Sequence, residues 1–195
     1  FREICYRLGE GVSLNNIGAV YDSLGEYEKA LDYYQQALTI AQEIGDRARE
    51  GVCLNNIGLL YDSLGEYEKA LDYYDQSLAI DREIGDRPGE GVSLNNIGLL
   101  YDSLGEYEEA LNYLQQSLAI NREIGDRVGE GRSLLNIGVV YHELKEYKEA
   151  LDYYEQAMNI LETIRATAGS EAGRASFIAR WAHLYNRATV LFHAL

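Results

Sequence analysis

The chain has 195 residues and a formal net charge of −15 at pH 7. Its acidity repels phosphate backbones and anionic membrane surfaces over about 8 Å at physiological salt, which excludes nucleic acid and membranes as partners and favours a basic or neutral protein or peptide. No apolar run approaches the roughly 20 residues that span a bilayer, and no signal-peptide pattern opens the chain, so a cytoplasmic protein is expected.

A block of 40 residues recurs along the chain with few changes. It starts at Gly11, Gly51 and Gly91, and a looser copy starts at Gly131. A fixed period of this length indicates a stack of supersecondary units, each too small to bury its own apolar face and each stabilised by its neighbours. We therefore expect function to lie on a surface that several repeats build together.

Two amphipathic helices are predicted in each repeat. In the first copy, apolar residues fall at helical spacing from Leu14 to Leu24 and again from Tyr27 to Ala41. Gly25 stands where the first helix must turn, because glycine takes positive φ without steric cost. Gly45 ends the second helix, and Asp46 is placed to cap the next one. The predicted fold class is all-α.

The period also sets the predicted segments of the chain. Residues 1–10 are a remnant of a preceding repeat, and the four repeats occupy residues 11–50, 51–90, 91–130 and 131–168. The fourth copy departs from the others at Leu135, His142 and Lys145, as terminal repeats usually do. Residues 169–195 carry one apolar stripe and are predicted to form a C-terminal capping helix. We interpret the whole as a fragment of a longer array.

One set of residues in each copy resembles the signature of the tetratricopeptide repeat. In the second copy these residues are Leu54, Ile57, Gly58, Tyr61, Gly65, Tyr67, Ala70 and Tyr74. The resemblance covers residues 11–160, although the usual unit has about 34 residues. It implies a right-handed superhelical solenoid of helix-turn-helix repeats, without enzymatic activity or cofactor, that binds peptides or partner domains. The tail more weakly resembles the segment after the repeats in bacterial proteins that carry a CHAT protease domain.

The resemblance further implies that the first helix of each repeat lines the concave surface, which identifies the candidate binding residues. Two amide rows comprise Asn15, Asn55 and Asn95, and Asn16, Asn56, Asn96 and Asn136. The other candidates are Leu59 and Leu99 in an apolar row, Asp22, Asp62 and Asp102 in an acidic row, and the single base Arg132.

Each row has a predicted contact with an extended peptide. Side-chain amides both donate and accept, so they can hydrogen-bond a peptide backbone of any sequence. The leucines would contact apolar side chains of the ligand, and the aspartates would pair with its Lys or Arg. An alternative stays open, because duplication of a whole repeat also makes polar residues recur at exposed positions that only contact water.

No catalytic or metal site is predicted. His142, His183 and His193 form no motif with a serine or cysteine nucleophile. Helices that line one face lie roughly 8 to 10 Å apart, so carboxylates of successive repeats cannot converge on a cation whose ligands lie within about 2.6 Å.

Two other functions remain open at this stage. The chain could be the regulatory or sensor segment of a larger signalling protein, such as a CHAT-type protease. It could also self-associate through exposed ends of the array, where Phe1 and Ile4 present apolar side chains.

Overall fold

The computed structural model describes residues 2–167, with side chains from residue 6 to residue 166. This part of the chain contains eight helices: α1 (Arg2–Ser23), α2 (Tyr27–Ile44), α3 (Arg47–Ser63), α4 (Tyr67–Ile84), α5 (Arg87–Leu104), α6 (Tyr107–Ile124), α7 (Arg127–Glu143) and α8 (Tyr147–Thr167). It contains no strand, which confirms the all-α prediction. The predicted capping helix at 169–195, the CHAT-like tail and the side chains of Phe1 and Ile4 lie outside the described residues.

Helices that are adjacent in sequence pack against each other. Helix α1 pairs with α2, α3 with α4, and α7 with α8, while α2 also packs on α3 and α6 on α7. This packing is typical of a tetratricopeptide solenoid. The chain divides into two compact units, residues 1–100 and 101–195, and the boundary falls within α5. None of the helices in residues 2–167 is long and apolar enough to cross a membrane.

In the Ile-Gly-Asp-Arg segment between repeats, the glycine and the aspartate have separate roles. Gly45 has φ 70° and ends α2, as predicted. The carboxylate of Asp46 accepts a hydrogen bond of 3.1 Å from the backbone N–H of Arg49, so it caps α3. At the equivalent position before Arg7 the chain has Tyr6, which has no carboxylate, and α1 continues back to Arg2. Residues 2–10 are thus part of the first helix.

Next to each of these segments, a buried glutamate accepts a hydrogen bond from a side chain of the preceding helix. Glu90 is 7% exposed and accepts hydrogen bonds from Arg87, three residues earlier, and from Arg82 Nε of α4 at 2.9 Å. Burial alone disfavours ionisation of Glu90, but the bonds from the two arginines outweigh it and hold the pKa below its usual value. In unit 2, Glu130 is paired in the same way with Arg122 and Arg127.

We call the contacts between the second helix of one repeat and the first helix of the next junctions: junction 1 (α2–α3), junction 2 (α4–α5) and junction 3 (α6–α7). At junction 1, Ile57 and Leu60 of α3 are fully buried and belong to one core with Ala30 and Tyr34 of α2. In unit 2 the core combines α6, α7 and α8, with Ala110, Leu114, Leu134, Ile137, Ala150 and Tyr154 at its centre. Each large apolar side chain buried here contributes about 1.5 to 3 kcal/mol.

Within a repeat, the two helices approach closely where a glycine faces a tyrosine ring. A Cβ added to Gly58 of α3 would lie 2.7 Å from Cδ1 of Tyr74 in α4. The same contact occurs between Gly18 and Tyr34, and between Gly138 and Tyr154 in unit 2. Real Cβ atoms do not approach a ring this closely, so these positions need glycine for space and not for backbone conformation.

We predict that Gly58→Ala lowers the free energy of unfolding by about 1 to 3 kcal/mol, because the new methyl group overpacks the Tyr74 ring. Gly9→Ala is the matched control, since Gly9 lies in α1 with nothing within 4 Å of its added Cβ. Alanine at that position should raise stability by up to about 1 kcal/mol through helix propensity alone. Urea unfolding of both variants checks the contrast, and equal stability of the two would contradict the packing argument.

Tyrosine rings also stack across each helix pair. The centroids are 5.3 Å apart for Tyr21 and Tyr33, and 5.5 Å apart for Tyr61 and Tyr73. The neighbouring Tyr34 is only 3% exposed. Burial, followed by the nearby charge of Asp22, raises the pKa of Tyr34 to about 12.

We predict a loss of stability at alkaline pH that depends on Tyr34. The folded state favours the neutral phenol, so the contribution of Tyr34 is intact below its unfolded pKa of about 10 and is lost as pH rises from 10 towards about 12. Tyr34→Phe cannot ionise, so its unfolding free energy should fall less steeply than that of the wild type over this range. Urea unfolding at several pH values from 8 to about 12 measures both slopes; parallel slopes would show that Tyr34 is not the group responsible.

Candidate functional site

One side of each first helix carries the predicted binding residues. On α3, the side chains of Val52, Asn55, Asn56, Leu59 and Asp62 follow the spacing of a single helix face. Val52 is 51% exposed and Leu59 is 39% exposed, while the other three are half-buried. We call these positions and their equivalents on α1, α5 and α7 the first-helix face.

The two predicted amide rows bond to each other across neighbouring repeats of unit 1. Asn56 Nδ2 donates to Asn15 Oδ1 at 3.0 Å, and Asn96 Nδ2 donates to Asn55 Oδ1 at 2.8 Å. The acceptor atoms of Asn15 and Asn55 are therefore used inside the protein. Among the residues that the structure describes, Nδ2 of each of these two side chains has no hydrogen-bond partner, so two amide donors are left for a ligand.

Access to the face decreases along the chain. On α1, Asn16 and Ala19 are exposed and Asn15 is half-buried. On α5, Asn95 is 4% exposed and Leu99 is half-buried.

On α7, in unit 2, Asn136 is 6% exposed and Val139 is 7% exposed, and Arg132 is half-buried. The accessible candidates thus lie mainly on α1 and α3 of unit 1.

The sequence analysis missed one row of this face. Val12, Val52 and Val92 are 37%, 51% and 41% exposed, and Val52 precedes Asn55 by three residues and Leu59 by seven. This i, i+3, i+7 spacing was available in the sequence, and it places a valine beside each amide pair. Arg132 is the fourth member of the same row, so the single base among the candidates replaces an apolar contact.

The acidic row lies near the C-terminal ends of the first helices. Asp22, Asp62 and Asp102 are all half-buried. Burial raises the pKa of Asp62, which means that its ionised form is under-solvated. Within residues 6–166, no Lys or Arg nitrogen lies within 4.0 Å of the carboxylates of Asp22 or Asp62. A cation brought by a ligand would meet a carboxylate that the protein has not neutralised.

A cavity of about 250 Å³ adjoins the face at junction 2, inside unit 1. Its polar lining comprises Asn55, Ser77, Asp81, Asp86 and Ser93. Val52 and Asn55 belong to both the cavity and the first-helix face. A ligand lying on that face would therefore be in reach of the cavity.

Comparison with known proteins gives a family and a set of similar folds. The profile described as "Tetratricopeptide repeat" matches residues 9–83, 64–123 and 89–163. A search of curated proteins found no match.

Among solved structures, aspartyl phosphate phosphatase F from Bacillus subtilis is similar over 97% of this chain and 50% of its own, with 19% identity and a TM-score of 0.77. A Rap protein complexed with competence and sporulation factor matches over 95% of this chain and 52% of its own, with 18% identity and a TM-score of 0.70.

A signal transduction ATPase with numerous domains from Pyrococcus horikoshii, which has a tetratricopeptide repeat sensor, matches over 95% of this chain and 32% of its own, with 22% identity and a TM-score of 0.73. The chain thus spans about half of the first two structures and a third of this one. At these identities the likeness shows the fold alone. The family profile, in contrast, covers residues 9–163 without interruption, and the glycine–tyrosine contacts of the helix pairs agree with it. The chain belongs to the tetratricopeptide repeat family.

Proposed function

We propose that this chain is a non-enzymatic interaction module that binds an extended peptide or partner domain, basic or neutral in charge, along the first-helix face of unit 1. The observation that carries the proposal is the composition of this face on α3. The exposed side chains of Val52 and Leu59 flank Asn55, whose Nδ2 donor is unused. Asp62 lies further along the same helix and is not paired with a cation in the described part of the chain.

The amide pairs suit a ligand that is an extended chain. Asn15 and Asn55 each offer one Nδ2 donor, and the two side chains occupy equivalent positions on neighbouring first helices. A carbonyl group of a ligand backbone can accept from each donor, which contributes about 0.5 to 1.5 kcal/mol per bond. Because Asn56 and Asn96 hold the partner oxygens, the two donors keep a fixed orientation before a ligand binds.

Charge selects the side chains of the ligand. The chain carries 32 acidic and 17 basic residues, which favours association with a basic partner over long range. At short range, Asp22 and Asp62 would each accept a charge-assisted hydrogen bond from Lys or Arg. The exposed valines and Leu59 would cover the apolar side chains that follow or precede such a base.

The relatives are consistent with this mode of action. The Rap protein complexed with competence and sporulation factor has a similar fold, which supports binding of a partner by this type of helical array. The family match supports an interaction role as well.

A displayed library of random 12-residue peptides, selected on the 195-residue chain, tests the proposal. We expect the enriched peptides to carry more Lys and Arg than Asp and Glu. Fluorescence anisotropy of one enriched peptide should then show a loss of affinity of about tenfold or more in the double variant Asn55→Ala, Asp62→Ala, because a backbone bond and a charge-assisted bond are removed together.

Asp72→Asn is the control for this experiment. Asp72 is exposed on α4, away from the first-helix face, and the third repeat has Asn112 at the equivalent position. This variant should bind like the wild type. Equal binding by the double variant, or enrichment of acidic peptides, would contradict the proposal.

A regulatory role inside a larger signalling protein is the second candidate. The similar fold of the tetratricopeptide repeat sensor in the Pyrococcus ATPase favours it. The first-helix face would then sense an activator or bind another domain of the same polypeptide. Self-association is a third candidate, since Ile17 and Val20 of α1 are 40% and 59% exposed while the equivalent Ile57 and Leu60 are buried. Sedimentation velocity over a range of concentrations distinguishes it from partner binding.

A further inference from the structure

The three junctions share one backbone design but differ in two positions that lie together. Junction 1 has Ala41 and Arg49, junction 2 has Asp81 and Gly89, and junction 3 has Asn121 and Gly129. The helix-capping aspartate is constant, as Asp46, Asp86 and Asp126. The charge of this cluster is therefore zero at junction 1, −2 at junction 2 and −1 at junction 3.

Junction 1 contains its own cation. Asp46 uses Oδ1 to cap α3, and its other oxygen, Oδ2, accepts a hydrogen bond from the guanidinium group of Arg49. The guanidinium group of Arg49, at the third position of α3, is thus the group that this carboxylate binds.

Junction 2 has the same carboxylate without that guanidinium group. Asp86 Oδ1 caps α5 by accepting from Gly89 N at 3.1 Å, which leaves Oδ2, the atom equivalent to the one that binds Arg49. A second carboxylate faces the same space. Asp81, which is only 5% exposed, accepts from Ser93 through Oδ2 at 2.8 Å, so Oδ1 is its remaining oxygen.

The two remaining oxygens lie side by side at the cavity. A Cβ added to Gly89 would be 2.7 Å from Oδ1 of Asp81 and 2.8 Å from Oδ2 of Asp86, so both oxygens face the volume beside this glycine. Ser77 cannot supply a proton to them, because its hydroxyl donates to the carbonyl of Gly51 at 2.9 Å. Within the described residues neither oxygen has a hydrogen-bond partner, and the side chains of Asp81 and Asp86 pair with no Lys or Arg.

The two nearby arginines form ion pairs with a different carboxylate. Arg82 and Arg87 both pair with Glu90, and within the described residues neither pairs with Asp81 or Asp86. Burial raises the pKa of Asp81, and the charges of Asp86 and Glu90 add to this effect against the hydrogen bond from Ser93. A group buried in this way is stabilised by a cation that reaches it.

We propose that the cavity at junction 2 is a specificity pocket for the guanidinium group of an arginine side chain supplied by the bound partner, with Asp81 and Asp86 as its acceptors. The planar guanidinium carries several donors in a fixed fork, which matches two carboxylate oxygens on one side of a cavity. The cavity volume of about 250 Å³ far exceeds the space of a single water molecule and admits a group of several heavy atoms.

This inference deepens the proposed function, on which it rests for the source of the arginine. Asn55 lines the cavity and also holds one of the free donors of the first-helix face. A peptide on that face could place one arginine in the cavity while its backbone meets Asn55. The pocket would then set where along the face a basic ligand binds.

The pocket can be tested alone with Nα-acetyl-L-arginine methylamide, which is too short to span the face. Its uncharged isostere, the citrulline analogue, is the matched ligand control. In ¹H–¹⁵N spectra of the 195-residue chain, the arginine compound should shift the backbone amides of Gly89 and Ser93 and the side-chain amide of Asn55. The shifts should saturate with a dissociation constant on the order of 1 mM, and the citrulline compound should cause none.

Variants copied from the other junctions report whether Asp81 is the acceptor. Asp81→Asn reproduces junction 3, where Asn121 is 6% exposed and donates to Ser133 at 3.1 Å, so the change should be tolerated by the fold. It should weaken binding of the arginine compound at least about tenfold. Asp81→Ala combined with Gly89→Arg reproduces junction 1 and should abolish binding, because the tethered guanidinium occupies the site.

Asp72→Asn makes the same change of charge on the exposed side of α4 and should leave binding intact. Equal shifts with the arginine and citrulline compounds, no saturable shift, or undiminished binding by Asp81→Asn would each overturn the pocket. These outcomes are separate from the peptide experiment above. Peptides that bind through Asn55 and Asp62 while the arginine compound fails would overturn the pocket and leave the proposed function standing.

Discussion

The packing of each first helix on the second helix of the preceding repeat is the contact on which the rest of the structure depends. Ile57 and Leu60 are buried in a core that includes Ala30 and Tyr34 of the preceding pair, whereas the equivalent Ile17 and Val20 of α1 are exposed. The junctions also contain a buried glutamate, and at junction 2 Glu90 binds Arg82 of α4 and Arg87 of α5. Burial and charge pairing therefore fix neighbouring repeats together at one place, as expected for a nearest-neighbour array.

Because this framework is constant, the positions that vary between repeats can be compared directly. Copies that are nearly identical fold by the same contacts, so a change that is not needed for packing is visible by comparison with the other copies. The changes from Ala41 and Arg49 to Asp81 and Gly89 are of this kind, because the apolar core of the first helix stays buried at both junctions while the charge differs. One junction can differ from the others without a change of fold, and the pocket proposed at junction 2 would in this way add a binding preference to a uniform scaffold.

The asparagines of the first-helix face in unit 1 join neighbouring repeats and are also the residues proposed to bind a ligand. Each amide pair, such as Asn56 with Asn15, uses one donor and one acceptor between repeats and leaves a donor on the surface. This arrangement answers part of the alternative raised by the sequence, since the recurring asparagines are more than solvated copies of one another. It also places the spare donors beside exposed valines, so that polar and apolar contacts to a ligand can occur together.

The period, the two helices of each repeat and the turns at Gly25 and Gly45 were readable from the sequence, because helix spacing and positive φ are local properties of the chain. The all-α fold followed from the same local patterns, and the family match confirms the resemblance of the signature residues to the tetratricopeptide repeat.

The bond from Asn56 to Asn15, in contrast, joins residues that the sequence places in different rows, and it depends on how two helices lie against each other. The degree of access at Asn95 and Val139 likewise depends on packing that no single helix contains. Asp81 near the end of α4 and Asp86 just before α5 come together beside Gly89. Only the tertiary structure decided these features, because each arises from side chains of separate helices whose distances are set by the packing between them.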